Sequence, residues 1–469
     1  MATSAVPPVT APHAKTLSNA ELNELLGRLK GPNRLIAEKY PVEPEHRQPV
    51  HTVYGGAHLF KSDSAAKLGA IALRILDEYG GDPVGFANAI GLVVDAELAH
   101  AVHERVRAKL RREPVEDFRI DFEDGYGNRS DDEEDGHAAL AGAEVAKGLA
   151  EGTLPPFCGI RIKPLSEDLA RRSLRTLDIF ITTMTREGRG QVPPHFTVTL
   201  PKITHAEQVA ALASALDKLE ERLRLRSGTL TMEFMVETTQ SIVGHDGVLN
   251  LPRFLEAADG RCVAAHFGTY DYTASCQITA AHQHMRHPAC DFAKHMMQVA
   301  YSGRGLWLSD GATTIMPVPV HRPAAGVALT SAQVDENLQS VHDAWRLHVG
   351  DVEHSLESGI YQGWDLHPGQ LPTRYAAVYA FFQQGLPAAS LRLKTFVSRA
   401  AQATLVGDVF DDAATGQGLL NFFLRGINCG AFGEDEALAT GLTLDELRSR
   451  SFYHILRSRR GQADPAAPG

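Results

Sequence analysis

Residues 118–125 read Phe118-Arg119-Ile120-Asp121-Phe122-Glu123-Asp124-Gly125. β-forming side chains alternate with charged ones and then give way to carboxylates and a glycine, which predicts a strand over 118–122 ending in an acidic turn. Working outward, apolar or β-branched runs at 51–54, 159–162, 196–200, 232–236, 263–267, 306–308 and 364–366 are also predicted strands. Helix-like stretches separate them, such as Ala206–Leu223, where Val209, Leu212, Leu216 and Leu219 share a face. Strand, helix, strand in repetition means parallel pairing with right-handed crossovers. Eight such strands predict an α/β fold of the (β/α)8 TIM-barrel type rather than an open sheet.

The barrel is expected over residues 46–372, between an N-terminal segment (1–45) and a C-terminal helical extension (373–469). About sixteen Pro/Ala/Thr-rich residues open the chain and are expected to be disordered. Ser18-Asn19-Ala20-Glu21 has the S-x-x-E form of a capping box, ahead of a short helix through Leu29. A Pro-rich linker covers 40–49, a helical insertion 77–110, and a Pro/Ala/Gly tail 459–469.

With 43% hydrophobic and 22% charged residues in 469, the composition is that of a soluble globular protein. The net charge of −11, without a long basic run, argues against nucleic acid or an anionic membrane as partner. Five cysteines with no C-x-x-C pair read as reduced thiols. No apolar run reaches about 18 residues, and the first residues lack the charged and apolar regions of a secretory signal, so the expected location is cytoplasmic.

Polar residues gather where these strands end. The second strand runs into Glu123 and Asp124, the third carries Arg161 and Lys163, the fourth ends at Lys202, the fifth at Glu237, and the sixth leads through His266 to Asp271. Barrel enzymes build their sites at strand C-termini. Several carboxylates with a guanidinium and amines suit a metal-plus-anion site, and Mg²⁺ commonly takes one or two protein carboxylates. Lys163 either adds a cation at this mouth or pairs with the acidic run 131–135, which is itself read as a solvated loop. His282, His284 and His287 are read as a polar face rather than a zinc site. His367 is read as a structural residue closing the last strand.

At these positions the chain resembles the HpcH/HpaI aldolase and citrate lyase beta-subunit superfamily, malyl-CoA lyase included, and more distantly malate synthase. The superfamily's D-L-E-D-S-V is similar to Asp121-Phe122-Glu123-Asp124-Gly125-Tyr126, its V-R-I-N to Ile160-Arg161-Ile162-Lys163, and its L-P-K to Leu200-Pro201-Lys202. Its I-E-T is similar to Val236-Glu237-Thr238, its F-G-x-x-D to Phe267-Gly268-Thr269-Tyr270-Asp271, and its I-H-P-x-Q to Leu366-His367-Pro368-Gly369-Gln370.

The resemblance implies a Mg²⁺- or Mn²⁺-dependent carbon–carbon lyase with Glu237 and Asp271 as metal ligands. Arg161 would stabilise an enolate or a substrate carboxylate, supported by Glu123 and Asp124, with Lys163 a further catalytic candidate. The substrate would be a small carboxylic acid or an acyl-CoA, and the chain would form a homo-oligomer, with the helical extension a plausible contact. Two departures stand out: Lys163 replaces the asparagine of V-R-I-N, and Gly125 the serine of D-L-E-D-S-V. The base is open between metal-bound hydroxide, His51, and an acidic side chain from the C-terminal helices or another subunit. The rival readings are a transferase using the same enolate, by malate synthase-like condensation or phosphoryl transfer on phosphoenolpyruvate, and a non-catalytic binding barrel.

Overall fold

A computed structural model describes residues 16–40, 47–323, 327–398 and most of 404–458. The N-terminal stretch and tail expected to be disordered, and most of the linker at 40–49, lie outside the described residues. Eight strands form a closed barrel: β1 (His51–Gly56), β2 (Asp117–Asp121), β3 (Phe157–Arg161), β4 (Phe196–Leu200), β5 (Thr231–Val236), β6 (Cys262–Phe267), β7 (Trp307–Ala312) and β8 (Gln362–Asp365). Every neighbouring pair is parallel, and β8 closes the ring by pairing His51 with Gly363 and Val53 with Asp365. The (β/α)8 TIM barrel is therefore the fold.

The crossovers are helical. They comprise α2 (Ser64–Tyr79), α3 (Pro83–Ala89), α4 (Ala96–Arg112), α5 (Asp131–Glu151), α6 (Ala170–Glu187), α7 (Ala206–Leu223), α8 (Thr239–Ile242), α9 (Asn250–Ala257), α10 (Thr269–Ser275), α11 (Pro288–Tyr301) and α12 (Ser331–Glu357). The outer faces of the strands pack on these helices through Ile120, Phe122, Ile160, Val198, Phe234 and Phe267, all buried. The helical stretch after the first strand resolves into α2, α3 and α4. Beyond the barrel, α13 (Leu371–Ser398) packs on α12 and α4, and α14 (Ala413–Asn428) packs on α13.

The barrel interior is charged rather than aliphatic. Successive residues of a strand face opposite ways, so Asp117, Arg119, Glu233, Thr199, Thr52, Gln362 and His266 share the inside. Arg119 donates through Nε and a terminal nitrogen to both oxygens of Glu233, each at 2.7 Å, and also pairs with Asp117. Thr199 donates to Glu233, Thr52 to Asp117 at 2.9 Å, and Gln362 to Thr52 at 2.9 Å. Burial works against the Glu233 charge, but Arg119 outweighs it and holds the carboxyl well below its usual range.

The residues described from the first 44, with 303–305, make a separate compact unit. Its helix α1 (Asn19–Lys39) has the expected capping box, in which Ser18 and Glu21 satisfy each other's backbone N–H groups. The helix runs ten residues past Leu29 and accommodates Pro32. A second boundary is corrected by the structure: the acidic run 131–135 is no loop but the first turn of α5. Ser130 caps it by accepting from the Glu133 N–H, and four carboxylates face the positive end of the helix dipole. Among the described residues no helix is long and apolar enough to cross a membrane.

Candidate functional site

The site begins at the end of β2. Asp121 accepts backbone N–H bonds from Glu123 (2.9 Å) and Gly125 (2.7 Å), which folds the acidic turn back over the strand end. A Cβ on residue 125 would lie 2.6 Å from Asp121 Oδ2, so any larger residue here would push on the Asp121 carboxylate. The same carboxylate grips Arg161 from β3 in a two-pronged bond, Nε to Oδ1 at 2.7 Å and a terminal nitrogen to Oδ2 at 2.6 Å. The other terminal nitrogen of Arg161 meets Glu123 Oε2 at 2.9 Å. Fork-to-fork pairing fixes a guanidinium in orientation as well as place. Burial opposes the Arg161 charge, yet Asp121 and Glu123 more than compensate and raise its pKa.

Beside it, Lys202 follows β4. Its ammonium contacts Glu123, Asp124 Oδ2 at 3.3 Å and Asp271 Oδ2 at 3.3 Å. Its backbone N–H donates to Glu237 Oε1 at 2.6 Å, from a left-handed conformation with φ of 49°. Glu237 directly follows β5 and is buried, while Asp271 sits half-open in the first turn of α10. Gly268 packs directly on Glu237, since a Cβ there would stand 2.6 Å from Glu237 Cβ. The F-G-x-x-D glycine thus makes room for the I-E-T glutamate.

Burial first, and the neighbouring Asp271 charge second, push the Glu237 carboxyl up to about 8. In the metal-free protein Glu237 keeps a proton that the unfolded chain loses near 4.5. Its contribution to stability is full below that value and is withdrawn as pH rises towards about 8. The melting temperature of the metal-free protein should therefore carry a downward component between those limits, and Glu237→Gln, which cannot ionise, should lack it. Parallel thermal melts of both proteins from pH 5 to 9 check this.

An aromatic pair lies beneath the guanidinium. Tyr54 and Trp364 pack with ring centroids 4.5 Å apart and planes tilted by 32°, and the Arg161 guanidinium lies 4.9 Å from the Tyr54 ring and 6.0 Å from that of Trp364. The Trp364 indole N–H donates to His266 Nδ1 at 3.1 Å, so His266 carries its proton on Nε2, 3.2 Å from Glu233 Oε2 but out of hydrogen-bonding alignment. The floor of the mouth is thus tied to the charged interior of the barrel.

Of the residues singled out in the sequence, Arg161, Glu123, Asp124, Glu237 and Asp271 converge at this mouth. Lys163 does not join them: its amine binds Glu134 Oε2 at 2.8 Å and the Phe122 carbonyl at 2.6 Å, behind the barrel wall. His51 is excluded as a base at the mouth. It faces outward into the layer beneath α12 and α13, donating from Nδ1 to Asp365 (2.8 Å) and accepting the Glu116 N–H at Nε2 (3.1 Å). His367 caps the single turn at Pro368–Gln370 by accepting the Gly369 N–H at 3.0 Å, a structural task. Sequence reasoning noted Lys202 at the end of the fourth strand and Asp121 in the acidic run but gave neither a role, and it gave none to Tyr54 or Trp364. The alternation that puts Arg161 inside β3 also puts Tyr54 and Trp364 inside their strands, and was the signal available.

No trio of His, Cys, Asp or Glu among the described residues forms a ready-made metal cage. A divalent cation of the Mg²⁺ kind asks for less: one or two carboxylates, with waters and substrate oxygens completing the shell. Glu237 and Asp271 meet that requirement, because a buried carboxyl raised by a neighbouring carboxylate is relieved by a cation placed between them.

No curated protein matches the chain. Among solved structures, a citrate lyase from Burkholderia xenovorans LB400 is similar at 17% identity and a TM-score of 0.53, over 85% of this chain and 97% of that one. CitE from Mycobacterium tuberculosis, in complex with magnesium, acetoacetate and coenzyme A, is similar at 16% identity and 0.43, over 81% and 99%. The malate synthase of Haloferax volcanii, as a magnesium/glyoxylate complex, is similar at 12% and 0.45, over 88% and 98%. The first likeness shows the fold alone. A family model described as a domain of unknown function, DUF6986, matches residues 29–455. The chain, over nearly its whole length, belongs to the DUF6986 family.

Proposed function

We propose that this chain is a carbon–carbon lyase of the aldolase and citrate lyase type. It would make or break a C–C bond of a hydroxy or oxo acid, free or as a CoA thioester, through an enolate. The observation that supports this reading is the pairing of the buried Glu237 carboxyl with Asp271, beside a guanidinium locked by Asp121, at the C-terminal mouth of the barrel. A divalent cation (Mg²⁺ or Mn²⁺) held by Glu237 and Asp271 would supply Lewis-acid stabilisation of developing oxygen charge.

The chain's own residues do the remaining work. Arg161 is oriented before substrate arrives, since Asp121 fixes two of its nitrogens and the rings of Tyr54 and Trp364 support its plane. A donor so held needs no reorganisation when it meets a carboxylate or enolate oxygen. Glu123 and Asp124 balance the cations at the rim. Lys163, the cation that would favour a phosphorylated substrate, is occupied by Glu134, so it lends no support to phosphoryl transfer.

The test is proton–deuterium exchange followed by NMR. Pyruvate, acetyl-CoA and propionyl-CoA are incubated with the protein in heavy water, with and without Mg²⁺. Exchange at the carbon beside the carbonyl, dependent on the metal, is expected for one of them. Metal binding without exchange in any of a wider set of oxo acids and thioesters would sink the lyase reading. Absence of both would favour a binding barrel.

A further inference from the structure

Three cations stand at or near the mouth, and two of them are immobile. Arg161 is buried in the grip of Asp121, and Lys163 is buried against Glu134 and the Phe122 carbonyl. Lys202 differs. Its side chain is 29% exposed, and its ammonium, on a flexible four-carbon stem, contacts three carboxylates, Glu123, Asp124 and Asp271. Through its backbone it also reaches the fourth acid, Glu237. One residue therefore touches four of the mouth's five carboxylates, Asp121 being held on Arg161. It does so from a backbone region that side chains other than glycine seldom adopt, and such conformations concentrate at functional sites.

We propose that Lys202 is the resident counter-cation of the metal-free site, and that its ammonium and a divalent metal ion compete for one set of carboxylate oxygens. The inference rests on the metal site proposed above. Asp271 is bonded by the ammonium now and is a ligand of the ion in that reading, and two cations cannot share its oxygens at contact distance without strong repulsion. Binding of the ion drives the amine off Asp271 and outward to the open rim. The carboxylates are thereby held near their working positions before the ion arrives. The backbone N–H of Lys202 stays on Glu237 throughout, because its geometry does not depend on where the amine goes.

The test is direct binding of Mn²⁺, with free ion read by electron paramagnetic resonance, to the wild-type chain and to Lys202→Met. Methionine keeps much of the stem and removes the charge. Expected is tighter Mn²⁺ binding by the variant, by about tenfold, a usual size for coupling between two ligands of one protein. Equal or weaker binding by a folded variant overturns the proposal. If the variant does not fold, acetylation of the wild-type chain by an N-hydroxysuccinimide ester decides, read by mass spectrometry at Lys202 with Lys61 as reference. Saturating Mn²⁺ should raise labelling at Lys202 alone, and unchanged labelling overturns the proposal. The two readings fail separately. Mn²⁺ bound only by the variant supports competition and removes metal dependence from the wild-type protein, whereas Mn²⁺ bound by neither removes both.

Discussion

Glu237→Gln is expected to lower metal-dependent exchange by about a thousandfold or more, the loss of several kcal/mol of charge stabilisation. The barrel should remain folded. Below about pH 8 the metal-free protein already holds Glu237 as a neutral acid, and glutamine is close to that acid in shape and charge. Its side-chain oxygen can still accept the Lys202 N–H that Glu237 Oε1 accepts at 2.6 Å. What glutamine lacks is an anionic oxygen for a cation. Exchange rates by NMR, Mn²⁺ binding and a thermal melt at pH 6 separate the two effects. Exchange at the wild-type rate would remove Glu237 from the reaction.

Arg119→Met is expected to destabilise the fold by about 3–5 kcal/mol, the range seen when one partner of a buried ion pair is removed. Asp117 and Glu233 would be left facing each other inside the barrel, each 1% exposed, with no cation between them. The effect is read as a shift of the urea midpoint with an unchanged slope. Removing the stranded charge as well, in Arg119→Met with Glu233→Gln, should recover part of the loss. A single variant as stable as the parent would mean that the interior charges contribute little to holding the strands together.

Much of this architecture was legible because strand ends and crossover helices leave local marks. The fourth strand was placed to the residue at Phe196–Leu200, and Ala206–Leu223 was recognised as a helix from its spacing alone. Arg161, Glu237 and Asp271 could be picked out because a charged residue just after an apolar strand sits at the mouth of a parallel barrel. His51 misled for a related reason. Both faces of a barrel strand are buried, so nothing local tells an inward histidine from an outward one. Its true partner, Asp365, lies 314 residues away.

The acidic run was misread although its signal was present. Ser130-Asp131-Asp132-Glu133 has the same S-x-x-E form that marked the start of α1, and carboxylates are favoured in a first helical turn. Reading those charges as a solvated loop missed the burial of Glu134, which is 1% exposed, although pairing of Lys163 with this run was one of the two expectations and is what the structure shows. The polar interior was the least legible part. Asp117, Arg119 and Glu233 satisfy one another only after three strands have come together, a long-range outcome that no window of sequence contains.

Trp364 gives the molecule an optical window on its own chemistry. It is one of three tryptophans in the chain, with Trp307 and Trp345. Its indole packs against Tyr54, bonds to His266 and lies 6.0 Å from the Arg161 guanidinium. Indole emission responds to nearby charge, so an anion drawn to Arg161 alters the field on this ring directly. Trp345 is fully buried among helices on the outside of the barrel, and gives a steady background. Occupancy of the mouth can thus be followed by fluorescence, without a label and before any reaction has been identified.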